Sequence, residues 1–132
     1  MLWAADRRTG VLITLRRDGR AQSSDVAYAV ADDGFAVSLT SGRAKTANMR
    51  RDHRVVLHVT DPGSFSYVSF DCTAELSPVT TRVDDETAEA LVRYYRLVAG
   101  EHPVWDEYRH AMVEEARLVA TLWPASVVGQ IN

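Results

Sequence analysis

The stretch from Phe65 to Leu76 constrains the fold more than any other. Val68, Phe70, Cys72, Ala74 and Leu76 alternate with Tyr67, Ser69, Asp71, Thr73 and Glu75. A clean period of two predicts a long β-strand with one apolar face. Cys72 lies on that apolar face and reads as a small core residue, not a nucleophile. Shorter strands are predicted around it. Gly10 to Arg16 is rich in β-branched residues, and Asp18-Gly19 is a hairpin signal. Ala21 to Ala31 follows, then a turn at Asp33-Gly34 and the apolar run Phe35 to Leu39. Arg54 to Val59 reads as a strand before a turn at Asp61-Pro62-Gly63. Arg117 to Trp123 is the last full strand, ended by Pro124, with a short edge pairing over Ser126 to Ile131.

Three helices interrupt this series. Ala44 to Arg51 is good helix material. Asp84 to Ala99 is amphipathic, with Asp84, Asp85 and Glu86 at its positive end and Gly100 as its stop. Pro103 to Glu115 forms the third, with Pro in its first turn. Consecutive short strands without alternating long helices disfavour a parallel α/β sheet. They predict a mainly β protein, an antiparallel barrel with helical decorations. A chain of 132 residues that is 46 % hydrophobic fits one domain over residues 1–132.

In Ala21 to Ala31, one face carries Gln22, Ser24, Val26, Tyr28 and Val30. The other carries only Ala21, Ser23, Asp25, Ala27 and Ala29, small enough for something bulky to lie against the backbone. Both faces are polar from Gln22 to Asp25, which implies either a polar ligand there or a solvent-exposed strand end.

Ser41 to Arg54 runs against the charge of the whole chain. The formal net charge is -3, yet this stretch holds Arg43, Lys45, Arg50, Arg51 and Arg54 against Asp52 alone. Strand, small polar turn and helix start is the geometry that offers free backbone N–H groups to an anion. One reading is a phosphate-binding turn at the barrel rim, with Arg43 and Lys45 as its cations. In that reading Arg51 lies on the outward side of the helix; the other reading is a solvated basic helix capped by Ser or Thr.

One cysteine excludes an internal disulfide and a cysteine metal cluster. No run is long and apolar enough to suggest a membrane span or a signal peptide, so the expectation is a cytoplasmic protein. A pI near 5.8 disfavours a general nucleic-acid binder. No G-x-S-x-G, H-E-x-x-H, C-x-x-C or P-loop pattern occurs, and no metal site is expected. His53, His58, His102 and His110 are scattered, and His58 reads as a packed or hydrogen-bonded residue. Phosphate binding without an evident acid, base or nucleophile points to a cofactor that carries the chemistry.

The segments LRRDGRAQSSDV, SGRAKTANMRRDHRVVLHV and YRLVAGEHPVWDEYRHAMV resemble the pyridoxamine 5'-phosphate oxidase-like flavin and deazaflavin oxidoreductases. They are similar in particular to the actinobacterial members that use coenzyme F420. The resemblance runs through nearly the whole chain, and the block from Arg43 to Arg54 is its most specific part. It implies a split β-barrel of the FMN-binding type and a homodimer with the cofactor at the subunit interface. Arg43, Ala44, Lys45 and Thr46 would hold the cofactor phosphate, with Ser38 on the strand leading to them. Gln22, Ser24 and Asp25 would lie along the deazaflavin ring and its polyol. Phe65 and Tyr67 would approach the cofactor of the other subunit. Asp25 stands where related sequences often have Asn. The implied activity is hydride transfer from reduced F420 to an unsaturated small molecule, with no catalytic side chain assigned. FMN-dependent oxidation and non-catalytic cofactor binding are the alternatives on the same scaffold.

Overall fold

The alternating segments pair into one antiparallel sheet. A computed structural model describes residues 1–132. Its strands are β1 (Thr9–Leu15), β2 (Ala21–Ala27), β3 (Ala29–Ala31), β4 (Gly34–Thr40), β5 (Arg54–Asp61), β6 (Ser66–Leu76) and β7 (Arg117–Gln130). Their order is β2-β1-β5-β6-β7-β4-β3. The two edges, β2 and β3, are consecutive in the chain and separated only by Tyr28. One segment thus carries both edges and curls the sheet into a barrel. No ladder joins β2 to β4, so the barrel is split along that line. The protein is a mainly β, split antiparallel barrel.

Tyr28 fixes the point of closure. Its N–H donates to the Arg8 carbonyl at 2.9 Å, and its buried hydroxyl donates to the Ala4 carbonyl at 2.7 Å. Its ring stands edge-on to Phe35, 5.3 Å between centroids. The inward residues of every strand fill the barrel, with Leu12, Phe35 and Leu57 fully buried. Each such side chain contributes roughly 1.5–3 kcal/mol by leaving water.

Short helices close the two ends. At one, α1 (Leu2–Ala5) inserts Ala4. Arg7 stacks 3.7 Å over the Trp3 ring and donates to Asp61 at 2.9 Å. At the other, α2 (Ala44–Arg51) inserts Met49 and Asn48. The helices α3 (Glu86–Ala99) and α4 (Trp105–Glu114) cover the outer face of β3, β4 and the start of β7. Asp85 caps α3 by accepting from the Ala88 N–H at 2.8 Å, from the Thr80 hydroxyl, and from the Thr81 and Arg82 N–H groups. Burial opposes its charge, but those four donors hold its carboxyl down at about 2.

Several expectations need correction. The turn after β3 is Asp32-Asp33, both at positive φ (54° and 64°), not Asp33-Gly34. Asp tolerates that region better than most residues. Gly34 begins β4, where a Cβ would stand 3.0 Å from the Trp123 ring. Phe65 belongs to the turn, at φ 57°, and β6 starts at Ser66. Pro103 precedes α4, whose N-cap is Val104. Pro124 does not end β7. It sits at a bulge opposite Asp71 and Cys72, and β7 continues along β6 to Gln130. A bulge is one of the few places where a strand accepts a residue without an N–H. Cys72 is buried as expected, and burial, with Asp71 beside it, pushes its thiol up to about 12.

Candidate functional site

The turn Ser41–Arg43 leads from β4 into α2, and the helix starts without a cap. The N-cap residue is Arg43, and no side chain accepts from the first turn. The backbone N–H groups of Ala44, Lys45 and Thr46 have no acceptor. The Ser or Thr cap expected of a solvated helix is therefore absent, although such a cap typically contributes about 1 kcal/mol. Thr46 is fully buried, and its hydroxyl turns back to donate to the Thr40 carbonyl at 2.8 Å. It braces the turn, and its own N–H has no acceptor within the chain.

The five cations of this stretch separate once their partners are known. Arg54 makes a bidentate pair with Asp52, and its hydrogen bonds pull that carboxyl down to about 2. Arg51 is not free on the outer side of α2. It donates to Asn48 Oδ1 at 2.7 Å and to the Leu15 carbonyl at 3.3 Å. Arg43, Lys45 and Arg50 form no ion pair. Two of these three flank the open N–H groups. Unpaired cations beside an uncapped helix start are a donor set suited to an anion.

The split of the barrel runs from this turn along the free edge of β2. Gln22 and Ser24 point to the inner side at intermediate exposure, while Ser23 and Asp25 lie exposed on the outer side. Three residues of strand separate Gln22 from Asp25, about 10 Å. Ser38 sits across the split on β4, 3.5 Å from an Arg117 nitrogen. Tyr94 of α3 donates to the Ala27 carbonyl at 2.9 Å and pins the far end of β2. Gln22 and Ser24 on β2 and Ser38 on β4 thus lie on the two strands that the split separates, and the turn from Arg43 to Thr46 follows β4.

Phe65 and Tyr67 are not in it. They flank a groove of about 440 Å³ at the Asp61 turn, with His58 and Thr60. Phe65 is 85 % exposed. A neighbouring groove of about 570 Å³ joins Asp25 to His58 and Thr60 across the outer face of β1. The register sets that row: Asp25 pairs with Val11, Val11 with His58, His58 with Ser69 and Ser69 with Val128. His58 is hydrogen-bonded, as expected, through Nδ1 to the Ser69 hydroxyl, and its ring lies 5.6 Å from that of Tyr67. No group of three His, Cys, Asp or Glu side chains could hold a metal ion.

Sequence reasoning missed Asn48 and Thr14. Asn48 Nδ2 donates to Thr14 Oγ1 at 3.1 Å and to Gln22 Oε1 at 2.8 Å. The signal was an inward-facing Thr in β1 and an amide on the barrel side of an otherwise basic helix.

The fold is shared with solved proteins. An F420 reductase superimposes with a TM-score of 0.70 at 20 % identity, covering 92 % of this chain and 89 % of that one. A conserved hypothetical protein of Mycobacterium tuberculosis gives 0.72 at 24 % identity, over 96 % and 78 %. HutZ, the heme storage protein of Vibrio cholerae, gives 0.68 at 16 % identity, over 93 % and 86 %. Residues 3–122 match the family model described as pyridoxamine 5'-phosphate oxidase, and the chain belongs to that family.

Proposed function

We infer that this protein is a homodimeric oxidoreductase that binds coenzyme F420 through its phosphate and reduces an unsaturated small molecule. The observation that carries the reading is the start of α2: three N–H groups without an acceptor, flanked by two unpaired cations. That donor set fits a phosphate monoester or diester. Arg43, Ala44, Lys45 and Thr46 would hold it. Gln22, Ser24, Asp25 and Ser38 would line the extended part of the ligand along the split. When bound and reduced, the deazaflavin supplies a hydride to an electron-poor double bond. The chain's contribution is to bind, orient and exclude water, which in favourable cases lowers a barrier by roughly 7–11 kcal/mol. The fold shared with an F420 reductase accords with a deazaflavin as that cofactor.

The dimer rests on a second observation. The outer faces of β1 and β5 carry Val11, Ile13, Leu15 and Val56, while α3 and α4 pack against β3, β4 and β7 instead. Val128, in the same row, is 64 % exposed. A two-fold partner is the commonest closed way to bury such a face. It would bring Phe65 and Tyr67 of one subunit toward the site of the other. Light scattering should return twice the chain mass at micromolar concentration. The cofactor test is a fluorescence titration with F420 and, separately, FMN. Tight binding of F420 and weak binding of FMN supports the reading. The reverse preference makes it an FMN enzyme, and binding without turnover on activated alkenes makes it a carrier.

A further inference from the structure

Hydrogen-bond polarity can be assigned along the buried chain of groups beneath α2. Arg51 is a donor only, so Asn48 Oδ1 must accept from it. That fixes the Asn48 amide, and its Nδ2 then has two N–H bonds to give. One goes to Thr14 Oγ1 and the other to the Gln22 side chain. Gln22 therefore accepts through Oε1, and its amide is fixed in turn. The usual ambiguity between amide O and N is removed by a guanidinium two residues up the relay.

The consequence lies at the free end. Gln22 Nε2 has no partner in the protein, yet no buried side-chain polar atom is left unsatisfied. Nε2 therefore faces solvent at the split. Lys45 lies three residues before Asn48 on α2, the spacing of neighbours on one helix face. The Gln22 N–H₂ is thus an oriented donor tied to α2, the helix whose start carries Lys45 and the N–H groups without an acceptor.

We propose that Arg51 and Asn48 are positioning residues that lock the Gln22 amide with its N–H₂ toward the ligand, so that the split selects a ligand edge made of hydrogen-bond acceptors next to its anion. This rests on the cofactor reading for the identity of the ligand, but not for the polarity of the relay. A polyol oxygen meets the requirement, and a donor edge does not. Asn48→Asp reverses the relay without changing its shape. The new carboxylate accepts from Arg51 and from Thr14, and Gln22 must rotate to donate inward, turning Oε1 outward.

Two measurements test this. In the free protein, nuclear magnetic resonance should find the Gln22 side-chain N–H₂ in fast exchange with water, and Asn48→Asp should slow it. Protected N–H₂ protons in the wild type, or no change in the variant, overturn the relay whatever the protein binds. In titrations with F420 and FMN, Asn48→Asp should weaken whichever cofactor binds by roughly three- to tenfold, the size of one neutral hydrogen bond. The uncharged variant Gln22→Met should do the same, and adding Asn48→Asp to it should have no further effect. Independent, additive losses overturn the proposal, as does wild-type affinity in Gln22→Met. Failure of both cofactors to bind the wild type sinks the cofactor reading alone, and the exchange measurement still decides the relay.

Discussion

Replacing Lys45 with Ala should weaken cofactor binding without weakening the fold. Lys45 has no ion pair or hydrogen bond in the free protein, so its removal strands no partner. A charge-assisted hydrogen bond contributes about 1.5–3 kcal/mol. At about 1.4 kcal/mol per decade, the loss is roughly ten- to a hundredfold in Kd. Arg43→Ala should equal or exceed it, because a guanidinium can grip two phosphate oxygens. The control is Arg50→Ala, also unpaired and exposed. It lies about 7.5 Å further along the helix axis than Lys45, near the screening length of about 8 Å at physiological salt. Its effect should stay under about twofold. Arg51→Ala is no control, because it releases Asn48 and the Leu15 carbonyl. The assay is fluorescence titration at fixed ionic strength, with Tm measured on each free variant. Equal losses at Lys45 and Arg50 would refute the reasoning, leaving only a diffuse positive field.

Asp25→Asn should shift the preference between F420 and FMN with little change in Tm, since the carboxylate is exposed and has no partner; unchanged titrations with both would remove β2's outer side from the site. Asp85→Ala should cost about 1–2 kcal/mol through the lost cap of α3, read as a lower Tm. The pH dependence of that stability has a fixed sign: the folded carboxyl sits at about 2, below its usual 3.8, so its contribution is complete above about pH 4 and fades as pH falls toward 2. Acid titration of wild type and variant should converge there. Gly129→Ala would place a Cβ 2.5 Å from the Tyr67 carbonyl, so the start of β6 should detach from β7 and exchange its amides faster. Unaltered protection at Val68 would contradict that.

The barrel was legible where local pattern alone decides. Period-two alternation in β6 survives because one face packs inward and the other meets solvent. Boundaries failed where a tertiary neighbour overrides a local rule. Pro124 is tolerated because β7 itself bulges there, with Ala125 left unpaired against β6, and Gly34 is a strand residue because Trp123 lies against it. The basic stretch announced itself by composition, but which of its cations are free depends on partners distant in sequence. Leu15 engages Arg51 from 36 positions away. Asn48 was invisible because an amide in a polar helix carries no periodic signal.

One feature of the sheet bears on how the molecule comes apart. An ordinary sheet can fray from either margin, one strand at a time. Here the two margins are successive halves of a single segment joined at Tyr28, so loosening one pulls on the other. The hairpins β1–β2 and β5–β6 can form locally, but Phe35 must find Leu122 near the other end of the chain. Such distant pairing closes late and slowly. The Tyr28 amide should therefore exchange only with global opening. The proposed anion site at the start of α2 would be complete only after that last closure. A bound ligand should then slow unfolding while leaving the folding rate untouched.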